Sequence, residues 1–193
     1  MKLIFATSNL HKLKEIQSIA PKNIQIVGLK EIGFSGELPE THNTIEENSL
    51  EKAEYLSKKF NIACFAEDTG LIIDALNGEP GVYSARYAGE NATFDQNIEK
   101  VLLKMQNQTD TKARFKTVIT YYNNGEYVQF EGITEGEIIN TLRGENGFGY
   151  DPIFKPVGST KTYAEMDLSE KNSFSHRKKS FDQFANHLKK IIV

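Results

Sequence analysis

The sequence predicts an α/β fold with α+β character, a long mixed β-sheet flanked by helices. Three observations carry this. Apolar runs of strand length alternate with segments of helical period through the first hundred residues, the pattern of strand-helix-strand units. Two strand-like runs then flank Asn123-Asn124-Gly125, which reads as an antiparallel hairpin. No repeat, low-complexity stretch or Pro/Ser-rich linker interrupts residues 1–193, so the chain reads as a single domain.

Taken in order, residues 2–7 (KLIFAT) read as a buried strand. Leu10, Leu13, Ile16 and Ile19 then recur at helical spacing up to Pro21. Residues 24–29 (IQIVGL) suggest a second strand. Thr44 with Glu47 makes a capping box for a helix carrying Leu50, Ala53, Leu56 and Phe60, and Asn61 ends it. Ile62–Ala66 and Leu71–Leu76 are apolar runs around the polar Glu67-Asp68-Thr69-Gly70, which reads as a strand break. Thr93 with Gln96 caps a helix with Ile98, Val101, Leu102 and Met105. Residues 113–122 and 126–133 form the hairpin, with a third strand expected at 136–140. Phe174 to Ile192 reads as an amphipathic closing helix bearing Phe181, Phe184, Leu188 and Ile191.

Composition narrows the function classes. With 39% hydrophobic residues, Phe 12 and Tyr 8, the chain can build an aromatic core, which argues against disorder. Lys+Arg 23 against Asp+Glu 26 leave a net charge of -3, so a general basic surface for long nucleic acid is excluded and a nucleotide would have to be gripped locally. The lone Cys64 allows no intrachain disulfide and suits a reducing cytoplasm. The apolar run Leu3 to Ala6 is too brief for an export signal and far below the ~20 residues of a membrane span, so neither export nor membrane insertion is expected.

Four segments can carry chemistry. Thr7-Ser8-Asn9-Leu10-His11-Lys12 lies where a strand turns into a helix, and helix N-terminal N–H groups with a lysine one turn in suit a phosphate; alone, the segment equally fits an ordinary cap with a solvated lysine. Glu67-Asp68-Thr69-Gly70 puts carboxylates at a strand end, where they could hold a hard cation such as Mg²⁺ or simply form an acidic turn. Glu40 is an acidic residue that no cap explains. Arg143 to Pro152 has three glycines in six positions, with Phe148 and Tyr150 read as exposed rings able to stack on a planar base. Ser169 to Lys179 is a basic, hydroxyl-rich start to the last helix. Together these are the parts of a nucleoside triphosphate site.

Thr7-Ser8-Asn9 with Lys12 and Glu15, Glu40-Thr41, Glu46-Glu47-Asn48, Glu67 to Leu71, Pro80 to Tyr87, Phe148 to Pro152 and Ser175-His176-Arg177 occur in order over the whole chain. This set resembles the inosine/xanthosine triphosphate pyrophosphatase family, which hydrolyses non-standard purine nucleoside triphosphates. The resemblance implies an elongated two-lobed fold with the active-site cleft between lobes, a homodimer, and Mg²⁺-dependent conversion of ITP, dITP or XTP to the monophosphate and pyrophosphate. It makes Asp68 the general base and a metal ligand, with Glu40 as second ligand. Thr7, Ser8, Asn9, Leu10, His11 and Lys12 correspond to the phosphate-binding segment. Thr69, Phe148, Gly149, Tyr150, Asp151, Lys171, His176 and Arg177 match the remaining substrate contacts. His42 stands where relatives often have glycine, which bears on the placement of Glu40, and Thr69 replaces a serine while keeping its hydroxyl. On this reading His176 and Arg177 donate to the 6-keto oxygen of the base, and the Arg86 block has no assigned chemistry. A pyrophosphatase for pyrimidine triphosphates and a nucleotide sensor without turnover are the rival readings.

Overall fold

In the computed structural model, which describes residues 1–191, the opening apolar run forms β1 (Lys2–Ala6) and the first helical period forms α1 (Leu10–Ile19). There follow β2 (Gln25–Val27), α2 (Ile45–Phe60), β3 (Cys64–Ile73), β4 (Pro80–Gly81), α3 (Phe94–Met105), β5 (Lys112–Asn123), β6 (Glu126–Ile138), β7 (Phe154–Pro156), α4 (Leu168–Phe174) and α5 (His176–Ile191). The strands pair in the order β2-β1-β3-β5-β6-β7, with β4 on β3. β1 runs parallel to β2 and β3, whereas β3–β4 and β6–β7 are antiparallel, giving the mixed sheet expected.

The chain forms two compact units, with β3, β5 and β6 each contributing residues to both. The first comprises Met1–Asp68, Thr117–Gly132 and the segment from Arg177 onward. Its sheet is covered on both faces, which is why β1 reads as a continuous apolar run rather than an alternating one. On one face Leu3, Phe5 and Phe65 pack against Ile16 of α1 and Phe181, Phe184 and Leu188 of α5. The parallel register sets Phe5 beside Phe65, and their rings stack with centroids 4.5 Å apart. On the other face Ala6, Cys64 and Ala66 meet Ala53 and Leu56 of α2.

The second unit comprises Thr69–Lys116 and Ile133–His176. Its core joins Leu71 and Ile73 of β3, Ile98, Val101 and Met105 of α3, and Phe115, Phe154 and Tyr163. Thr93 completes its expected capping box, whereas Thr44 forms half of one, Glu47 Oε2 accepting from the Thr44 hydroxyl at 2.7 Å instead of from its backbone N–H. Thr44 accepts from Glu47 N, Thr93 and Gln96 form a reciprocal box, and Asn61 ends α2 at φ 51. Asn124 (φ 51) and Gly125 (φ 86) make the two-residue turn of the hairpin.

Three expectations are corrected. β3 runs unbroken through Glu67-Asp68-Thr69-Gly70, because buried cations replace the solvent that such polar residues would otherwise need. The strand expected at 136–140 is the far end of β6 rather than a separate strand. The closing helix is two helices: Asp167 caps α4 by accepting from Glu170 N, and Ser175 is extended (φ -61, ψ 125), so α5 begins at His176. Ile192, placed in that helix from sequence, lies outside the described residues.

Cys64 is buried, and its Sγ donates to Ala53 O at 3.3 Å. Burial pushes its thiol up to about 12, so the native protein carries almost no thiolate near neutrality. A disulfide reagent at pH 8 is therefore expected to label the folded protein at least about a hundredfold more slowly than the guanidinium-unfolded chain; comparable rates would show that this thiol is not sequestered.

Candidate active site

Alternation along β3 arranges the first unit's chemistry. Side chains of successive strand residues point to opposite faces, so Glu67 joins Phe65 on the face of α1 and α5, while Asp68 joins Ala66 on the face of α2. Glu67 is gripped by Arg177 of α5, whose Nε lies 3.0 and 2.9 Å from the two carboxylate oxygens and whose Nη2 lies 2.8 Å from Oε1. The same guanidinium donates through Nη1 to Glu15 of α1. Lys12 Nζ stands 3.2 Å from Glu67 Oε1. Arg177 is only 2% exposed; burial alone would lower its pKa, but Glu67 and Glu15 more than offset that and hold it above its ordinary value.

Asp68 meets a different cation. Lys52 of α2, 4% exposed, donates to Asp68 Oδ1 at 3.0 Å and to Glu40 Oε1 at 2.5 Å. Burial alone would lower the Lys52 pKa, yet the Asp68 and Glu40 charges raise it on balance, so it stays an ammonium. Burial pushes the Asp68 carboxyl above the usual carboxylate range, against the pull of Lys52 and Lys12, and Glu40 adds to the rise. A carboxylate anchored on one oxygen and made more proton-avid by burial has the character of a general base.

Lys12 reaches this region from a well-built turn. Asn9 Oδ1 accepts from His11 N at 2.9 Å and Lys12 N at 3.2 Å, and Thr7 Oγ1 accepts from Asn9 N at 3.2 Å. Thr7 to Lys12 thus join β1 to α1, with Ser8, Leu10 and His11 exposed. The glutamate turn is equally held: Thr41 bonds Glu51 through its N–H and Oγ1, both at 2.8 Å, and Asn48 clasps the His42 backbone at 2.9 and 3.1 Å. The exposed His42 ring turns toward Glu51, with Nε2 3.9 Å from Oε1, while Glu40 stays on Lys52.

The second unit collects another group. Thr69 follows Asp68 on β3 and is half-buried. Asp151 Oδ2 accepts from Phe148 N at 2.9 Å and from Lys171 Nζ at 2.6 Å. This needs Gly147, at φ +77, since a Cβ there would come within 2.0 Å of Asp151 Oδ2; Gly149 is left-handed as well, at φ +61. The Lys171 ammonium lies 5.2 Å from the ring centroids of both Phe148 and Tyr163. His176 is buried and stacks on Phe115 with centroids 4.8 Å apart.

The structure thus brings Lys12, Glu40 and Asp68 together in the first unit, and Phe148, Gly149, Asp151 and Lys171 in the second. Several assignments change. Tyr150 is not an exposed stacking ring: it is 4% exposed, packs in the core, and its hydroxyl donates to Ser84 O at 2.9 Å. Arg177 and His176, adjacent on α5, have different neighbours: the guanidinium meets Glu67 and Glu15, and the imidazole stacks on Phe115. Glu67 and Asp68 do not chelate together, because strand alternation turns them to opposite faces. Lys52 carries no sequence motif, but it stands on the buried stripe Ser49, Lys52, Ala53, Leu56 of α2, and a lysine at a core position is a signal that it has carboxylates to meet. The Arg86 block is a packed turn: Ser84 Oγ accepts from Leu71 N and Asn97 bonds the Ala85 and Ala88 backbone.

The Ham1 family model matches residues 3–187. A dITP/XTP pyrophosphatase of Flavobacterium johnsoniae is 50% identical over 188 residues, covering 97% of this chain and 98% of that protein. One from Christiangramia forsetii is 46% identical, covering 98% and 100%. Among solved structures, the Staphylococcus aureus Ham1 protein superposes with a TM-score of 0.88 at 39% identity, and a HAM1 protein from Coxiella burnetii with 0.90 at 37%; the first covers 98% of both chains, the second 98% of this chain and 99% of its own. A model match over nearly every residue, joined to full-length identity of this size, places the chain in the Ham1 family.

Proposed function

We propose that this chain hydrolyses non-standard purine nucleoside triphosphates, dITP, ITP and XTP, to the nucleoside monophosphate and pyrophosphate, clearing them from the pool that feeds DNA and RNA synthesis. The observation that carries the reading is the convergence of Glu40 and Asp68 on one ammonium with Lys12 close by, in a chain whose full-length relatives are dITP/XTP pyrophosphatases. A water attacks the α-phosphorus and the bond to the bridging oxygen of the leaving pyrophosphate breaks. Asp68 takes the proton of that water, and Lys12 offsets charge building on the pyrophosphate. Such chemistry asks chiefly for positioning and electrostatic stabilisation, so no protein nucleophile is needed.

The residues fit Mg²⁺. Glu40 and Asp68 present two hard oxygens toward one point, and Mg²⁺ is ordinarily held by one or two carboxylates together with substrate phosphates and water. Among the described residues no group of three or more His, Cys, Asp or Glu could hold a metal ion, so substrate phosphates and water would have to supply the remaining ligands. When bound, Mg²⁺ polarises phosphate oxygens. Ser8, Asn9 and Lys12 would take the phosphates, Phe148 would stack on the base, and Thr69, Asp151, Lys171 and His176 would position the nucleoside. Hypoxanthine and xanthine present a 6-keto acceptor where adenine presents a donor. A donor facing a donor costs about 1–3 kcal/mol, roughly tenfold to a hundredfold in rate. We also read the protein as a cytoplasmic homodimer, on the family resemblance and the lone reduced cysteine; no helix among the described residues is long and apolar enough to cross a membrane.

Pyrophosphate release measured over dITP, ITP, XTP, ATP, GTP and TTP, with and without Mg²⁺, tests this. The expected result is turnover of dITP, ITP and XTP at least about tenfold above ATP, abolished by chelation. Equal rates on ATP, or a preference for TTP, would end the assignment.

A further inference from the structure

Lys52 does something the hydrolysis scheme leaves unexplained. Its ammonium lies 2.5 Å from Glu40 Oε1 and 3.0 Å from Asp68 Oδ1, at the point where these two carboxylates converge. Lys52 and Asp68 are 4% and 6% exposed, so neither is free to swing far into solvent. A divalent cation using the same two oxygens would have to enter the position the ammonium holds, where the two positive charges would repel strongly at reduced dielectric.

We propose that Lys52 is an internal stand-in for the divalent cation: it balances Glu40 and Asp68 before the substrate arrives, and on metal entry its ammonium transfers from these carboxylates to a phosphate oxygen of the incoming nucleotide. The inference rests on the reading of Glu40 and Asp68 as metal ligands. Lysine suits such an exchange, being a compact charge on a flexible four-carbon stem. Without nucleotide, displacement strips the ammonium of both carboxylate contacts, so the metal is opposed. With a triphosphate present, the displaced charge finds acceptors. Metal and nucleotide binding are therefore coupled, each tightening the other by the same factor. The site takes the metal–nucleotide complex and resists bare metal, which keeps the two carboxylates from being blocked by cations alone.

The test uses Mn²⁺ as the probe, with free Mn²⁺ read by electron paramagnetic resonance on the full-length protein, and a non-hydrolysable α,β-imido purine triphosphate whose own Mn²⁺ affinity is measured in parallel and accounted for. Wild type is expected to bind Mn²⁺ weakly alone and at least tenfold more tightly with the analogue. Lys52→Met should bind Mn²⁺ alone at least tenfold more tightly than wild type, and Lys52→Arg, which keeps the charge, should remain weak. Lys52→Met binding Mn²⁺ no better than wild type would overturn the exchange. The wild-type arm stands even where Lys52→Met does not fold: tight Mn²⁺ binding without nucleotide, or affinity unchanged by the analogue, also overturns it. Analogue binding with no Mn²⁺ uptake in any arm rejects the metal-site reading itself, a distinct outcome.

Discussion

Replacing Asp68 with asparagine is expected to lower kcat by about 10²–10⁴-fold while changing KM only severalfold, the range associated with loss of one general base. The amide keeps nearly the same volume and can still accept from Lys52, so the local packing of Ser49, Ala66 and α2 should persist. What disappears is the proton acceptor facing the attacking water, and with it one oxygen charge for a divalent cation. Steady-state pyrophosphate release, with a thermal melt to confirm folding, measures the effect. A variant retaining near-wild-type kcat would remove Asp68 from the mechanism. A large rise in KM with little change in kcat would instead make it a ground-state binding residue.

Replacing Arg177 with methionine acts on stability first. Its guanidinium holds Glu67 with three contacts between 2.8 and 3.0 Å and also meets Glu15, all of them buried. Removing one partner of a buried ionic group leaves charge uncompensated, which costs about 3–5 kcal/mol. For a chain of this size each kcal/mol is worth roughly 2–4 °C, so a fall in Tm of about 6–20 °C is expected. Arg177→Met combined with Glu67→Met should recover part of the loss, because Glu15 is then the one remaining carboxylate that has lost the guanidinium, instead of Glu67 and Glu15 together. A Tm within 2 °C or so of wild type would show that the network is not structurally important. Because Glu67 and Glu15 raise the Arg177 pKa above its already high free value, its contribution is fully present at and below the free value. It would fade only as pH rose through the raised one, so no ordinary alkaline buffer should release it.

Both predictions depend on one strand, and β3 shows where reading from residues stops. Its apolar ends, Cys64 to Ala66 and Leu71 to Ile73, are legible as strand, but the polar middle imitates a break because sequence does not display what lies across the space from it. The cations that meet it are the buried Lys52 and Arg177 and the half-buried Lys12, far apart along the chain. Likewise Tyr150 sits in a glycine-rich loop that suggests exposure, and only packing against Ser84, sixty-six positions away, shows that its ring is core. Local features fared better. The caps at Thr44 and Thr93, the left-handed Asn61 and the Asn124-Gly125 turn depend on contacts within a few residues, and each stands at its expected position, with only the Glu47 half of the Thr44 box replaced by a bond from the Thr44 hydroxyl.

By itself, then, the sequence determined most element types, the cap positions, the hairpin, the mixed sheet and the family, because each follows from short-range geometry or from ordered motifs spread along the whole chain. Tertiary structure alone decided which charge meets which. Two adjacent carboxylates, Glu67 and Asp68, differ by one step of a strand, and that step sends one to a structural arginine and the other to Lys52 and Glu40. The physical reason is that a strand assigns faces with a period of two, whereas the identity of the helix covering each face is settled only when the chain closes on itself.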